Sequence, residues 1–246
     1  MERGLMILLV AVLMVYLSPG VKGTSHLSFS NDTVNVTRLG CGNTKLCVST
    51  PDDCDPAGNK SCLFAAVVAN NTMAPNGTEL AFELRGDSAG YVALGLTVNA
   101  SEGTTMLFIC AQNSSDNESF FFRTMDRNNS NNELTPTETR VKGITGMVNG
   151  SVIKCEFIVP KVNASNTRSS HDTTFSILLG TGNVTGNAIG PFNTSLNSGP
   201  LNLADPASNV PTSAPPTSAP NSSGAVQPHA VLLLLSVLTL SVLLRA

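Results

Sequence analysis

Asn-x-Ser/Thr sequons begin at Asn31, Asn35, Asn59, Asn70, Asn76, Asn99, Asn113, Asn117, Asn128, Asn149, Asn163, Asn183, Asn193 and Asn221. A glycosylated asparagine has to face solvent, so each of these positions marks a loop or an exposed strand end. No other feature restricts the fold as much. Exposed points must recur along almost the whole chain, and the elements between them must be short. Some sequons follow from the high Asn, Ser and Thr content alone, but their density reads as a glycosylated surface.

Glycosylation requires entry to the secretory pathway, and the N-terminus fits. Arg3 supplies a positive start, and residues 5–16 are almost continuously apolar, with Pro19 and Gly20 following. A run of about a dozen residues suits a signal-peptide core and is too short to span a membrane. Residues 1–23 are therefore expected to be a signal peptide, cleaved before Thr24. At the other end, residues 231–244 form a second apolar run followed only by Arg245 and Ala246. Small residues at Asn221, Ser222, Ser223 and Gly224 and a short polar spacer precede it. That is the pattern of a GPI-attachment signal, with Asn221 or Ser222 as the attachment residue and 223–246 as the removed propeptide. A short tail anchor is the alternative. The expected location is the outer leaflet of the plasma membrane.

Between these ends remain 11 basic and 16 acidic residues, a formal charge of −5 where the whole chain carries −3. Nothing basic is available for nucleic acid. Six cysteines, Cys41, Cys47, Cys54, Cys62, Cys110 and Cys155, point to disulfides in a secreted protein, with fifteen possible connectivities. Four crowd into a Pro-, Asp- and Gly-rich segment. Cys110 and Cys155 each end a strand-like run and are expected to pair. Zinc is the alternative, but the spacings are not zinc-like and no histidine lies nearby.

From Leu63 to Gly182 short apolar runs alternate with turn signals. The runs are 63–68, 80–84, 91–97, 105–111, 119–127, 139–148, 151–160 and 173–179. Leu80, Phe82 and Leu84 fall on one face, opposite Ala81, Glu83 and Arg85. Met106, Phe108 and Cys110 share another. Asn149-Gly150 between two such runs predicts a hairpin, since both residues accept positive φ. Eight or more strands at this spacing predict an all-β fold, an antiparallel sandwich with a disulfide-rich N-terminal segment. The expected organisation is a leader over 24–40, a domain over 41–198 and a Pro/Ser/Thr-rich stalk over 199–222, in which Pro-Thr-Ser-Ala-Pro occurs twice.

The strand Gly90-Tyr91-Val92-Ala93-Leu94-Gly95-Leu96 resembles the DOMON domain, in particular that of animal ferric-chelate reductase-like proteins. Cys41-Gly42-Asn43-Thr44-Lys45-Leu46-Cys47 and Asp53-Cys54-Asp55-Pro56 resemble that group's cysteine-rich entry. Leu107 to Cys110, Val152 to Phe157 and Phe175 to Gly182 fit its later strands. The resemblance covers about Cys41 to Asn197. It implies a β-sandwich that binds haem or sugar, with b-type haem held between a Met and a His in haem-binding members. The family's Met stands before a Gly ahead of the Phe-x-Cys strand, where this chain reads Glu102-Gly103. Its His follows the closing strand, where this chain reads Pro191-Phe192. Both ligand positions differ, so no cofactor is expected. Met106 and His171 are the substitutes if haem b is bound, although Met106 reads as core and His171 as a solvated turn residue.

Other chemistry is sparse. Asp52, Asp53 and Asp55 offer oxygen ligands for a hard cation such as Ca²⁺, but without an EF-hand spacing they read as a solvated turn. His26 falls in the leader. Ser170, His171 and Asp172 are consecutive, and adjacent residues of an extended chain point to opposite faces, so they cannot form a triad. No G-x-S-x-G, P-loop or HExxH occurs. The expected function is a non-catalytic, GPI-anchored surface module that binds an extracellular ligand, glycan or protein. The alternative is an extracellular b-type haem electron-transfer accessory.

Overall fold

The computed structural model describes residues 26–73, 77–113, 119–164, 172–186 and 188–209. These residues contain no α-helix. Their strands are β1 (Leu27–Phe29), β2 (Leu46–Thr50), β3 (Leu63–Met73), β4 (Gly77–Asp87), β5 (Tyr91–Thr97), β6 (Thr104–Asn113), β7 (Ser119–Asn128), β8 (Leu134–Pro136), β9 (Val141–Asn149), β10 (Val152–Val162), β11 (Thr174–Gly182), β12 (Val184–Thr185), β13 (Ala188–Ile189) and β14 (Asn193–Asn202). The expected signal peptide, His171, Asn76, Asn117, Asn221, Ser222 and the propeptide lie outside the described residues.

Two six-stranded sheets face each other. The first has the order β1-β9-β10-β4-β3-β2 and the second β14-β11-β5-β6-β7-β8. Every pair is antiparallel except β1 with β9. The all-β antiparallel sandwich expected from the alternation is the fold observed, and each of the eight apolar runs lies mainly within a strand.

Alternation decides what each strand buries. Leu80, Phe82 and Leu84 of β4 and Ile153, Cys155 and Phe157 of β10 turn inward from the first sheet. Val92, Leu94 and Leu96 of β5 and Phe108 and Cys110 of β6 meet them from the second. At the centre Phe157 stacks on Phe82 and Phe108, both with ring centroids 5.2 Å away. Burying each ring contributes about 2 kcal/mol. The Cys110–Cys155 disulfide ties the sheets together across this core, with its Cα atoms 6.4 Å apart. Both cysteines lie within their strands rather than at strand ends. The remaining bridges are Cys41–Cys47 and Cys54–Cys62.

One expectation, the turn of the Asn149-Gly150 hairpin, is corrected. The β9–β10 hairpin pairs Asn149 with Val152, so its loop is Gly150-Ser151, and only Gly150 has positive φ, at 58°. The packed region also continues past residue 198. β14 runs to Asn202, and Leu201 and Leu203, the apolar residues of this stretch, are buried in the core. Asn209 Nδ2 still donates to the carbonyl of Cys47. Finally, the leader is part of the fold. β1 pairs with β9, and Val36 is buried against Cys47, Phe64 and Ala66.

Candidate functional site

β5 is buried along its whole length, so the second sheet needs a cover on its outer face as well as a core on its inner one. Tyr91, Ala93, Leu107, Ile109 and Leu178 form that outer apolar surface. The cover is residues 183–186 and 188–192, which carry β12 paired with β13 and bring Val184, Ile189 and Phe192 onto it. Glycines make the close approach possible. A Cβ on Gly180 would lie 2.7 Å from Cε2 of Phe192, and one on Gly182 would lie 2.3 Å from the Tyr91 ring. Tyr91 Oη donates to the carbonyl of Gly190 at 3.0 Å, and burial pushes its phenol well above the ordinary tyrosine range.

At one end of this face residues 98–103 connect β5 to β6. Buried Asn129 fastens them, donating from Nδ2 to the carbonyls of Asn99 (2.7 Å) and Glu102 (3.0 Å), while Thr105 Oγ1 donates to its Oδ1 at 2.6 Å. Glu102 itself is exposed. The Arg127 guanidinium stands 5.9 Å from the Phe192 ring centroid. Glu102 and Phe192 occupy the two positions where the sequence resemblance places haem ligands. An exposed carboxylate and a buried phenyl ring over Gly180 do not fit an axially ligated haem there. Met106 faces inward and packs against the core between the sheets.

Beside the hairpin the cover leaves a cleft of about 540 Å³. His26 and Leu27 come to it from the start of β1, Arg123, Thr124 and Met125 from β7, Pro136, Thr137 and Glu138 from the exit of β8, and Ala188 and Ile189 from β13. Its rim is held by Thr124 Oγ1 donating to the carbonyl of Thr137 at 2.8 Å. The Arg123 guanidinium lies 5.7 Å from the Phe121 ring. Next to the rim, burial raises the Asp126 carboxyl above the ordinary range, partly offset by a hydrogen bond with the Thr137 side chain.

An apolar floor with one guanidinium, one carboxylate and one imidazole at its edge is equipped to hold and orient a ligand. Among the described residues no hydrogen bond joins an imidazole to a hydroxyl, and no three acidic, cysteine or histidine side chains are placed to hold a metal ion. Asp52, Asp53 and Asp55 are exposed, and Asp55 Oδ1 accepts from the Ala57 amide within its own turn. Sequence reasoning missed the cleft because its walls come from four separate segments. The one available signal was the strand 119–127, which places Arg123 and Met125 on a common face.

The described sequon asparagines are exposed, except Asn113 and Asn163, which are half-buried. None of them lines the cleft.

The chain is similar to ferric-chelate reductase 1 proteins. It is 26% identical over 194 residues to a Danio rerio protein named "Putative ferric-chelate reductase 1", covering 78% of this chain and 33% of that protein. It is 29% identical over 87 residues to "Ferric-chelate reductase 1" of Mus musculus, covering 35% of this chain and 14% of that protein. The chain thus spans about a third of the Danio rerio relative or less of the other. No protein-family model matches the sequence. No solved structure matches it.

Proposed function

We propose that the chain is a GPI-anchored cell-surface glycoprotein whose sandwich is a haem-free, non-catalytic DOMON-type module binding an extracellular glycan or protein at the His26–Glu138–Ile189 cleft. The carrying observation is where the sequons lie. The described ones stand at or near strand ends, in residues 31–35 and in the loop at Asn59, while residues 129–148 hold none. None of the described sequon asparagines lines the cleft, so a carbohydrate coat on them leaves its floor open, with Asn183 at the outer edge of the hairpin wall. Similarity to a ferric-chelate reductase 1 protein over 78% of this chain and 33% of that protein supports a role related to one part of it. The stalk and anchor reading supports display at the membrane surface.

Two experiments test this. Phosphatidylinositol-specific phospholipase C should release the full chain from the surface of expressing cells, and retention after treatment would sink the anchor. A glycan placed in the cleft tests the binding face. Thr137→Asn creates a sequon with Thr139 and leaves the backbone contacts of residue 137 intact. It should abolish binding of the purified protein to cells that bind the parent, whereas unchanged binding would remove the cleft from consideration.

A second reading, an extracellular b-type haem electron-transfer accessory, is favoured by the names of the relatives and by one feature of the cleft. His26 and Met125 bring an imidazole and a thioether to the same cavity. The visible spectrum of haem-supplied protein separates the readings. A Soret band that shifts on dithionite reduction and disappears in Met125→Leu would overturn the haem-free proposal.

A further inference from the structure

On the outer face of the first sheet three neighbouring strands place Thr145, Glu156 and Glu83 side by side. Glu156 of β10 is the register partner of Thr145 on β9 and of Glu83 on β4. Two glutamates directly opposite each other on paired strands repel and destabilise the pairing. The leader then brings a third carboxylate to the same place. Residues 30–36 cross this face, fixed where the Asn35 amide donates to Glu156 Oε1 at 2.6 Å, and Asp32 joins Glu83, Glu156 and Thr145 in lining a cleft of about 270 Å³. Lys45 donates to both oxygens of Glu83, at 2.9 and 2.8 Å, and Lys142 is paired with Glu79. Asp32 and Glu156 have no basic partner in the described residues.

Thr145 supplies an independent observation. Its side chain is 95% buried, at 5% relative exposure, it lines the cleft, and its Oγ1 has no hydrogen-bond partner. A buried hydroxyl without a partner loses its hydration and gains nothing in return. A bound group that accepts oxygen ligands would satisfy it and relieve the carboxylate repulsion together.

We propose that this cleft is a Ca²⁺ site, with the ion held by the Asp32 and Glu156 carboxylates and the Thr145 hydroxyl. Two carboxylates, a hydroxyl and water are an oxygen set that suits a hard cation of flexible coordination. Glu83 is already taken by Lys45, so no three-acid cage forms, which agrees with the absence of any such cluster among the described residues. A partly hydrated ion with two acidic ligands belongs to the weak class found in extracellular modules, with Kd roughly 0.1–1 mM. Binding would clamp the leader, through Asp32, onto β9 and β10.

The test uses the full chain expressed in an animal cell host, purified in detergent, stripped with EDTA and titrated calorimetrically with CaCl2. One ion per chain is expected, with Kd roughly 0.1–1 mM. Glu156→Gln keeps the acceptor for the Asn35 amide and should weaken binding by about tenfold or more, and Thr145→Val by a few fold. In EDTA the Glu156→Gln protein should melt at or above the parent, because the unpaired Glu156 charge in the same cleft as Asp32 is gone. In Ca²⁺ the order should reverse. Absence of saturable heat, a melting shift reproduced by NaCl at matched ionic strength, or undiminished Ca²⁺ affinity in Glu156→Gln would each overturn the proposal.

Discussion

The two outer faces of the sandwich are covered by opposite means. On the second sheet the cover is apolar. A hairpin and two aromatic rings lie on glycines, and Phe192 and Tyr91 do most of the sealing. On the first sheet the cover is cross-linked and, beside a small apolar patch around Val36 and Phe64, is held by a buried charge. Residues 41–45 are tied to β2 by Cys41–Cys47, residues 51–62 form a loop closed by Cys54–Cys62, and the fully buried Arg85 reaches out of β4 to hold that loop. Arg85 donates from Nη1 to the carbonyl of Cys62 at 2.5 Å and to Asp87, and from Nη2 to the carbonyl of Lys60 at 2.9 Å. One face is thus closed by area removed from water. The other depends on a charge whose partners must all be in place, so the two should fail differently.

Removing the charge should have the largest effect. Breaking a buried ion pair from one side leaves an uncompensated group and costs about 3–5 kcal/mol. Arg85→Ala strands Asp87 beside the Cys54–Cys62 loop and is expected to lower stability by about 4 kcal/mol. Guanidinium titration would measure it, and protease sensitivity should appear first within residues 54–62. On the apolar face, truncating a buried ring costs about 3–5 kcal/mol. Phe192→Ala should stand at the low end, about 3 kcal/mol, because the hairpin can settle onto Gly180. Leucine at this position should recover most of the loss, while no substitute should rescue position 85 without its hydrogen bonds. Equal rescue at both sites would break the contrast.

The covalent part of the cross-linked cover should matter less than Arg85. Closing a loop of this length stabilises by about 2.5 kcal/mol. The double substitution Cys54→Ser and Cys62→Ser is expected to lower the denaturation free energy by about that amount. The loop should stay in place, because Arg85 and the bond from the Cys62 amide to Asp87 Oδ2 (3.0 Å) remain. Detachment of the loop, seen as loss of amide protection at position 62, would show that the disulfide rather than the charge holds this face.

This contrast also explains what could be read in advance. The central strands were legible because their two faces differ in polarity, as in Leu80 to Leu84, or because both are apolar, as in Tyr91 to Thr97. β14 was not, since Asn193 to Asn202 is an edge strand with mostly polar, exposed side chains, and its place comes from backbone pairing with β11. β1, β8, β12 and β13 are two or three residues long, too short to show any period. The cover of the second sheet left one trace, the apolar Phe192 beyond the closing strand. The path of the leader left none. It rests on β1 pairing with β9, on burial of Val36 and on one amide at Asn35 meeting a carboxylate 121 residues away, contacts that no local pattern announces.

The smallest effect expected near neutrality lies at Tyr91, where the apolar cover contains one titratable group. Its side chain is fully buried, and burial disfavours the phenolate, so the folded state holds the proton to higher pH than the unfolded chain does. Below about pH 10 both states are protonated and the group contributes no pH dependence. Above it only the unfolded state ionises, so stability should fall by about 1.4 kcal/mol per pH unit as pH rises. Tyr91→Phe should remove that slope while costing about 1 kcal/mol at pH 7 through the bond to the Gly190 carbonyl. Tyrosine absorbance at alkaline pH reads this directly, since the chain contains only Tyr16 besides Tyr91, and Tyr16 falls within the expected signal peptide. In secreted protein the phenolate band should appear only together with unfolding. A band titrating near pH 10 in folded protein would mean that the hairpin lifts off the sheet readily, and that the apolar face, not the charged one, is the looser of the two.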